Sequence, residues 1–142
     1  MSFDLKLVNG DLDIANSGDL RVVENNEKLR QDVLKALITP AGGNKLHQWY
    51  GSNVSDALIG NIFDLDFAIS AASEQIRSCL ENLQMVQRQQ SKDQNVTATE
   101  SILTIKDIYI NSNPKDERQI EVKVTIITGA LTEMPINFTI RV

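Results

Sequence analysis

Between residues 65 and 86, Leu65, Ile69, Ala72, Ile76, Cys79, Leu83 and Val86 recur at alternating steps of four and three. At 3.6 residues per turn, that spacing gathers them on one stripe of a helix about six turns long. A stripe of this length must be buried against something of similar length, and the cover is written further along the chain. Residues 102–110, 120–126 and 136–142 alternate at period two or run apolar, and the breaks at 111–116 and 129–135 are rich in Asn, Gly and Pro. The spacing predicts three antiparallel strands with one face on the long helix and the other in water. Asp64 is placed to cap the helix, and Asp66 falls in its first turn, where carboxylates are favoured. The small residues Ala68, Ala71 and Ala72 allow a second backbone to approach. The polar run 87–95 reads as an exposed connection.

The fold class expected is therefore α+β. A chain of 142 residues, 42% hydrophobic, has room for one core and not for two full domains. We read residues 1–142 as a single domain in three parts: an N-terminal arm or hairpin (1–25), a helical part (26–90) and the antiparallel strands (98–142). In the first part Gly10-Asp11-Leu12-Asp13-Ile14 and Gly18-Asp19-Leu20-Arg21-Val22 repeat a glycine turn running into an alternating strand. The acidic pairs do not form a calcium loop, because Leu12, Ile14 and Ala15 stand where oxygen ligands are needed. From Asn26 the period becomes helical, with Leu29, Val33, Ala36 and Leu37 on one face and Pro40, Gly42 and Gly43 ending the run. A short helical turn from Val54 to Ile59 ends at Gly60.

Charge is unevenly spread. In residues 1–27, Lys6 and Arg21 face Asp4, Asp11, Asp13, Asp19, Glu24 and Glu27, a balance of −4. In residues 28–50, Lys28, Arg30, Lys35 and Lys45 face Asp32 alone, a balance of +3. The aperiodic stretch 42–52 holds the chain's one Trp (Trp49), its one His (His47) and Tyr50. Aromatic pairs in loops are enriched at interfaces, so Trp49, Tyr50 and Lys45 are candidate partner contacts, with a cap over the long helix as the alternative role for the two rings.

Several functions are disfavoured. A net charge of −5 repels a phosphate backbone, so nucleic acid is not an expected partner. No run approaches the ~18 apolar residues of a membrane span, and the first residues lack the pattern of a secretory signal, which points to synthesis in the cytosol. One cysteine and one histidine supply neither a disulfide nor a zinc shell, and we expect no metal and no cofactor. Cys79 lies on the apolar stripe, where a thiol stays protonated and inert. Asp64 and Asp66 point apart on a helix and cannot work as a glycosidase pair. No Walker loop, GxSxG or HExxH motif occurs. No catalytic residue is assigned.

What remains is interaction. The last strand ends with the chain, carries Arg141 as its single charge, and offers unpaired backbone groups of the kind monomers usually block. Ile136, Phe138, Ile140 and Val142 would then meet a partner by strand addition, on the order of 6–12 kcal/mol gross at about 1.5–3 per side chain. The alternative is that this strand only completes the protein's own sheet.

The arrangement resembles the baseplate wedge or sheath-initiator family of contractile-tailed phages and related contractile injection systems. The resemblance rests on Gly18-Asp19-Leu20, on the run from Leu29-Arg30-Gln31-Asp32-Val33 to Thr39-Pro40 and Gly42-Gly43, on Trp49-Tyr50-Gly51-Ser52 before Leu58-Ile59-Gly60, and on the long helix with its closing strands. Family members often carry Glu after the glycine that follows the first helix and Pro shortly before the Tyr-Gly pair; here Gly43-Asn44 and His47-Gln48-Trp49 stand instead. The resemblance implies a non-enzymatic virion part of the tail baseplate, present in several copies around the tail tube. Such a part binds wedge proteins through its loop and helical region and offers its terminal strand to the sheath protein. Two other readings stand beside it: a lysozyme-like cell-wall glycosidase, a label some relatives have carried, and a cytosolic adaptor or assembly chaperone.

Overall fold

The computed structural model describes residues 2–59 and 64–141. The order is β1 (Phe3–Leu5), β2 (Leu7–Val8), β3 (Asp11–Leu12), β4 (Val22–Glu24), α1 (Asn25–Ile38), α2 (Val54–Ile59), α3 (Leu65–Asp93), a 3₁₀ turn (Ala98–Glu100), β5 (Ile102–Asn113), β6 (Asp116–Thr128) and β7 (Glu133–Arg141). The α+β reading holds: three helices, one of them long, pack with an antiparallel sheet of order β5-β6-β7.

The N-terminal part is a branched ribbon. β1 pairs with β4, β2 with β3, and Ile14 bridges Leu20. Asn9 (φ 53°) and Gly10 (φ 84°) turn the β2–β3 hairpin, both in the left-handed region that its two-residue turn demands. Two-stranded ribbons are marginal alone, and this one is anchored on α1. The Gln31 side chain donates to Leu5 O at 2.8 Å and accepts from Leu7 N at 2.9 Å, and Lys35 pairs with Asp4. Phe3, Val8, Ile14, Leu20 and Val22 stay exposed on it.

α1 buries Leu29, Val33, Ala36 and Leu37, the four residues its spacing picked out. α3 begins as expected, with Asp64 accepting from Phe67 N at 3.1 Å. Its buried line differs from the expected stripe. Ala68, Ala72, Ile76, Cys79, Leu80 and Gln87 are buried, whereas Leu65 is 49% exposed and Ile69 and Leu83 are only partly covered. A strict four-three repeat averages 3.5 residues, and on a straight helix of 3.6 it drifts by about 20° per seven residues, so the contact line passes from residue 76 to 80 and 87. The connection expected at 87–95 is also shorter than predicted: α3 continues to Asp93, and Gln87 is a core residue.

The inner face of the sheet carries Ile102, Ile110, Ile120, Val122, Val124, Ile126, Met134 and Ile136, all buried. α3 packs against β5 and α1, and α1 reaches β7. α2 packs on α3 through Val54 and Leu58; Gly60, its expected terminator, lies outside the described residues.

Candidate partner interface at the sheet edge and the Trp49 loop

β6 and β7 pair without interruption from Gln119↔Arg141 to Ile127↔Glu133. Thr128 N donates to Thr132 O at 2.9 Å at the closing turn. Alternation from that pair makes Met134, Ile136, Phe138 and Ile140 the residues bonded to β6, and turns the backbone of Glu133, Pro135, Asn137, Thr139 and Arg141 outward. No described strand pairs with that outer side. Pro135, which has no N–H, occupies an outward position, as proline in a sheet must, and Arg30 of α1 donates from Nη1 to its carbonyl at 3.0 Å. The open stretch is therefore Asn137 to Arg141, with three outward residues each holding a donor and an acceptor.

The side chains singled out on this strand differ in what they can give. Ile136 is 1% exposed and already part of the protein's own core. Phe138 and Ile140 are partly buried against that core, so covering the rest of each adds no more than about 1 kcal/mol. Val142 lies outside the described residues. The four apolar side chains therefore have much less surface left to offer than the roughly 6–12 kcal/mol expected of them requires.

Loop 40–52 has a fixed base and an exposed tip. Ser52 N donates to Thr39 O at 2.8 Å, Ala41 N to Ser52 O at 3.1 Å, and the buried Ser52 hydroxyl to Leu37 O at 2.6 Å. Gly51 has φ +106°, and a Cβ there would fall 2.6 Å from Thr39 O, so only glycine fits. Trp49 stands edge-on to both His47 (5.7 Å between ring centres) and Tyr50 (6.0 Å). Trp49 and Tyr50 line a crevice with Ala36, Cys79 and Leu83 of the two long helices. Tyr50 is half-buried, and burial raises its hydroxyl pKa above the usual range. Trp49 keeps 48% of its surface exposed, and beside it Leu46 is 89% exposed next to exposed Lys45. Leu46 was missed by sequence reasoning; its only signal was an apolar residue in a stretch without periodicity.

Three of the four cations of the basic segment have partners within the protein, and Asp4 is the one anion from outside the segment among them. Lys28 pairs with Asp32 at 2.7 Å, Lys35 with Asp4 and with Asp32 at 3.6 Å, and Arg30 holds Pro135. The expected opposed patches thus meet inside the protein and clamp β1 to α1. The loop joins the C-terminal end of α1, and the strand contact lies near its N-terminal end. Nine residues, about 13 Å of helix, separate Arg30 from Thr39, so the two candidate surfaces are distinct.

Two buried polar groups, Cys79 and Glu100, are tied into the structure. Cys79 is buried, donates to Ala36 O at 3.4 Å, and burial pushes its thiol up to about 11. Glu100 is 1% exposed. Burial pushes its pKa up, but hydrogen bonds from Thr97 N (3.0 Å), the Ser2 hydroxyl (3.1 Å) and Ser2 N (3.2 Å), together with one from the Asn25 backbone, outweigh it and hold the carboxyl below its usual range. A general acid needs the opposite shift. Among the described residues, no three His, Cys, Asp or Glu side chains gather as a metal site would require, and no helix is long and apolar enough to cross a membrane.

The contractile injection system sheath initiator family matches residues 1–129 of the 142. The chain belongs to that family. Membership gives this sheath initiator its role, starting the sheath of a contractile system, and makes the sheath protein its partner. The match takes in every element from β1 to β6 and ends before β7. No curated protein and no solved structure matches the chain.

Proposed function

We propose that this sheath initiator works as a structural, non-enzymatic part of a phage tail baseplate, and that it starts the sheath by pairing β7 with an extended segment of the sheath protein. One observation carries the reading: β7 is a regular edge strand, and no described strand pairs with its outward side at Asn137, Thr139 and Arg141. Strand addition there uses backbone hydrogen bonds for adhesion, and the partly covered Phe138 and Ile140 set which face of the incoming segment is apolar. Each sheath subunit bound this way can offer its own strand to the next ring.

The second half of the proposal is docking. The rigid base of loop 40–52 presents Lys45, Leu46 and Trp49 to baseplate wedge proteins, with Tyr50 as the buried support of Trp49. Several copies held in this way around the tail tube would place their β7 edges for the first sheath ring. The glycosidase alternative would need a carboxyl with a raised pKa in a cleft, and the buried Glu100 is shifted the other way.

The test uses proline as a backbone probe. Thr139→Pro removes an N–H that the protein's own sheet does not use, so the melting temperature should stay close to that of the unmodified protein while sheath no longer assembles on the baseplate. In the parallel arm, Trp49→Ala with Leu46→Ser should leave the initiator folded and absent from purified baseplates. Normal sheath on particles carrying Thr139→Pro would overturn the strand-pairing reading; normal incorporation of the loop variant would overturn the docking reading.

A further inference from the structure

An edge strand that templates a partner must also fix its frame. Slipping the incoming segment by one residue turns its apolar side chains to the wrong face and is rejected by Phe138 and Ile140. A slip of two residues keeps every side chain on its proper face, so facial chemistry cannot discriminate against it. On β7 the next outward position before Asn137 is Pro135.

We infer that Pro135 and Arg30 together form a register stop, which confines the sheath segment to the stretch from Asn137 to Arg141. Position 135 is closed in two ways. Proline supplies no N–H to the neighbour, and its carbonyl is taken by the Arg30 guanidinium at 3.0 Å, a contact between residues 105 apart in the chain. The body of α1 lies alongside, since α1 packs against β7. A segment shifted two residues toward Glu133 would lose both bonds at 135 and meet Arg30. Arg30 is therefore a specificity-determining residue: it leaves pairing itself to the free positions and sets where pairing ends. Pro135, near the start of β7, and Arg30, one of the basic residues of the segment 28–50, thus act as one device.

The stop has a meaning only if β7 takes a partner strand, so it rests on the pairing proposed above, and the experiment separates the two. Thr139→Cys is introduced into the initiator, and single cysteines are placed at successive positions along the pairing segment of the sheath protein from the same system. Assembled particles are oxidised and the cross-links mapped. With Arg30 and Pro135 intact, one sheath position should cross-link. With Arg30→Ala combined with Pro135→Val, a second position two residues away should appear with comparable yield. One unchanged register in the double variant would overturn the stop and leave pairing standing; no cross-link at any position in the intact protein would overturn pairing itself. Arg30→Ala and Pro135→Val tested singly, each at an exposed site, keep the result readable if the double variant folds poorly, and each should admit a smaller share of the second register.

Discussion

The two outer edges of the C-terminal sheet are treated in opposite ways. β5 is disrupted: its register against β6 shifts between Ile102 and Thr104 and again between Ile105 and Asp107, leaving Leu103 and Lys106 as extra residues. Bulges of this kind twist an edge away from further pairing. Its start is also capped by α3. Gln87 accepts from Ile102 N at 2.9 Å, and Gln84 donates to Ile102 O at 3.1 Å and Leu103 O at 2.8 Å. β7 has nothing of the kind beyond Pro135 and its bond from Arg30: it makes nine consecutive pairs with β6 and no bulge. One edge is closed by bulges and glutamine amides, the other is left regular. The same sheet therefore carries one edge of irregular register and one regular edge, and only the second has the geometry that strand addition uses.

The sharpest way to probe that contrast lies within β7 itself. Phe138 is bonded to β6 opposite Val122, whereas Thr139 faces outward. Phe138→Pro removes a ladder bond, leaving a β6 carbonyl unpaired at about 1–3 kcal/mol, and also loses the packing of a ring that lies against the core, read together as a large drop in denaturant midpoint. Thr139→Pro, one residue on, should leave that midpoint nearly unchanged. Equal losses at the two positions would mean that the outer side of β7 is not free.

The closed edge gives the next effect. Gln87→Ala strips the partner from Ile102 N and from Glu100 O, to which the Gln87 amide donates at 3.2 Å. Buried backbone groups left unsatisfied cost about 1–3 kcal/mol each, so the variant should lose roughly 2–6 kcal/mol in a denaturant melt, toward the lower end where water reaches them, while still supporting sheath assembly. Loss of assembly at unaffected stability would instead make β5 a partner edge and dissolve the contrast.

The closed edge was also the less legible one. Period and spacing located α1, α3 and the three long strands, because burial of one face dictates periodicity and periodicity survives in a single sequence. Gln87 was assigned to an exposed connection because a glutamine in a polar run carries no sign that its amide will cap a strand 15 residues later. The exposed apolar residues of the N-terminal ribbon, Phe3, Ile14 and Val22 among them, could not be told from core residues, since alternation reports a strand's two faces and not what covers them. At the candidate interface, Pro135 was visible as a strand breaker, but its partner Arg30 lies 105 positions earlier and only the folded chain joins them. Lys35 of the +3 segment is likewise committed to Asp4 across the charge boundary, a pairing that only the folded chain reveals.

The smallest effect separates the edges by pH. Glu100 stands just before β5, and its carboxylate holds Ser2; Asp4, two residues further on, holds Lys35. Both carboxyls are held below their ordinary values of 4.5 and 3.8, in each case because hydrogen bonds outweigh burial, with the charge of Lys35 adding to the effect at Asp4. A carboxyl lowered by folding contributes fully above its unfolded value and loses that contribution as pH falls through its folded one. Acidification below about 4.5 should therefore loosen the N-terminal ribbon and the start of β5, with Glu100 responding across its range and Asp4 below 3.8. Amide exchange followed residue by residue should show lower protection at Leu5 and Leu7 in acid, relative to the intrinsic rate at each pH, with Phe138 and Ile140 still protected by β6. Glu100→Gln should reproduce part of that loosening at neutral pH and blunt its onset in acid. If β7 opened together with the ribbon, the two edges would belong to one cooperative unit, and the distinction between a closed side and a side kept ready for a partner would have no energetic basis.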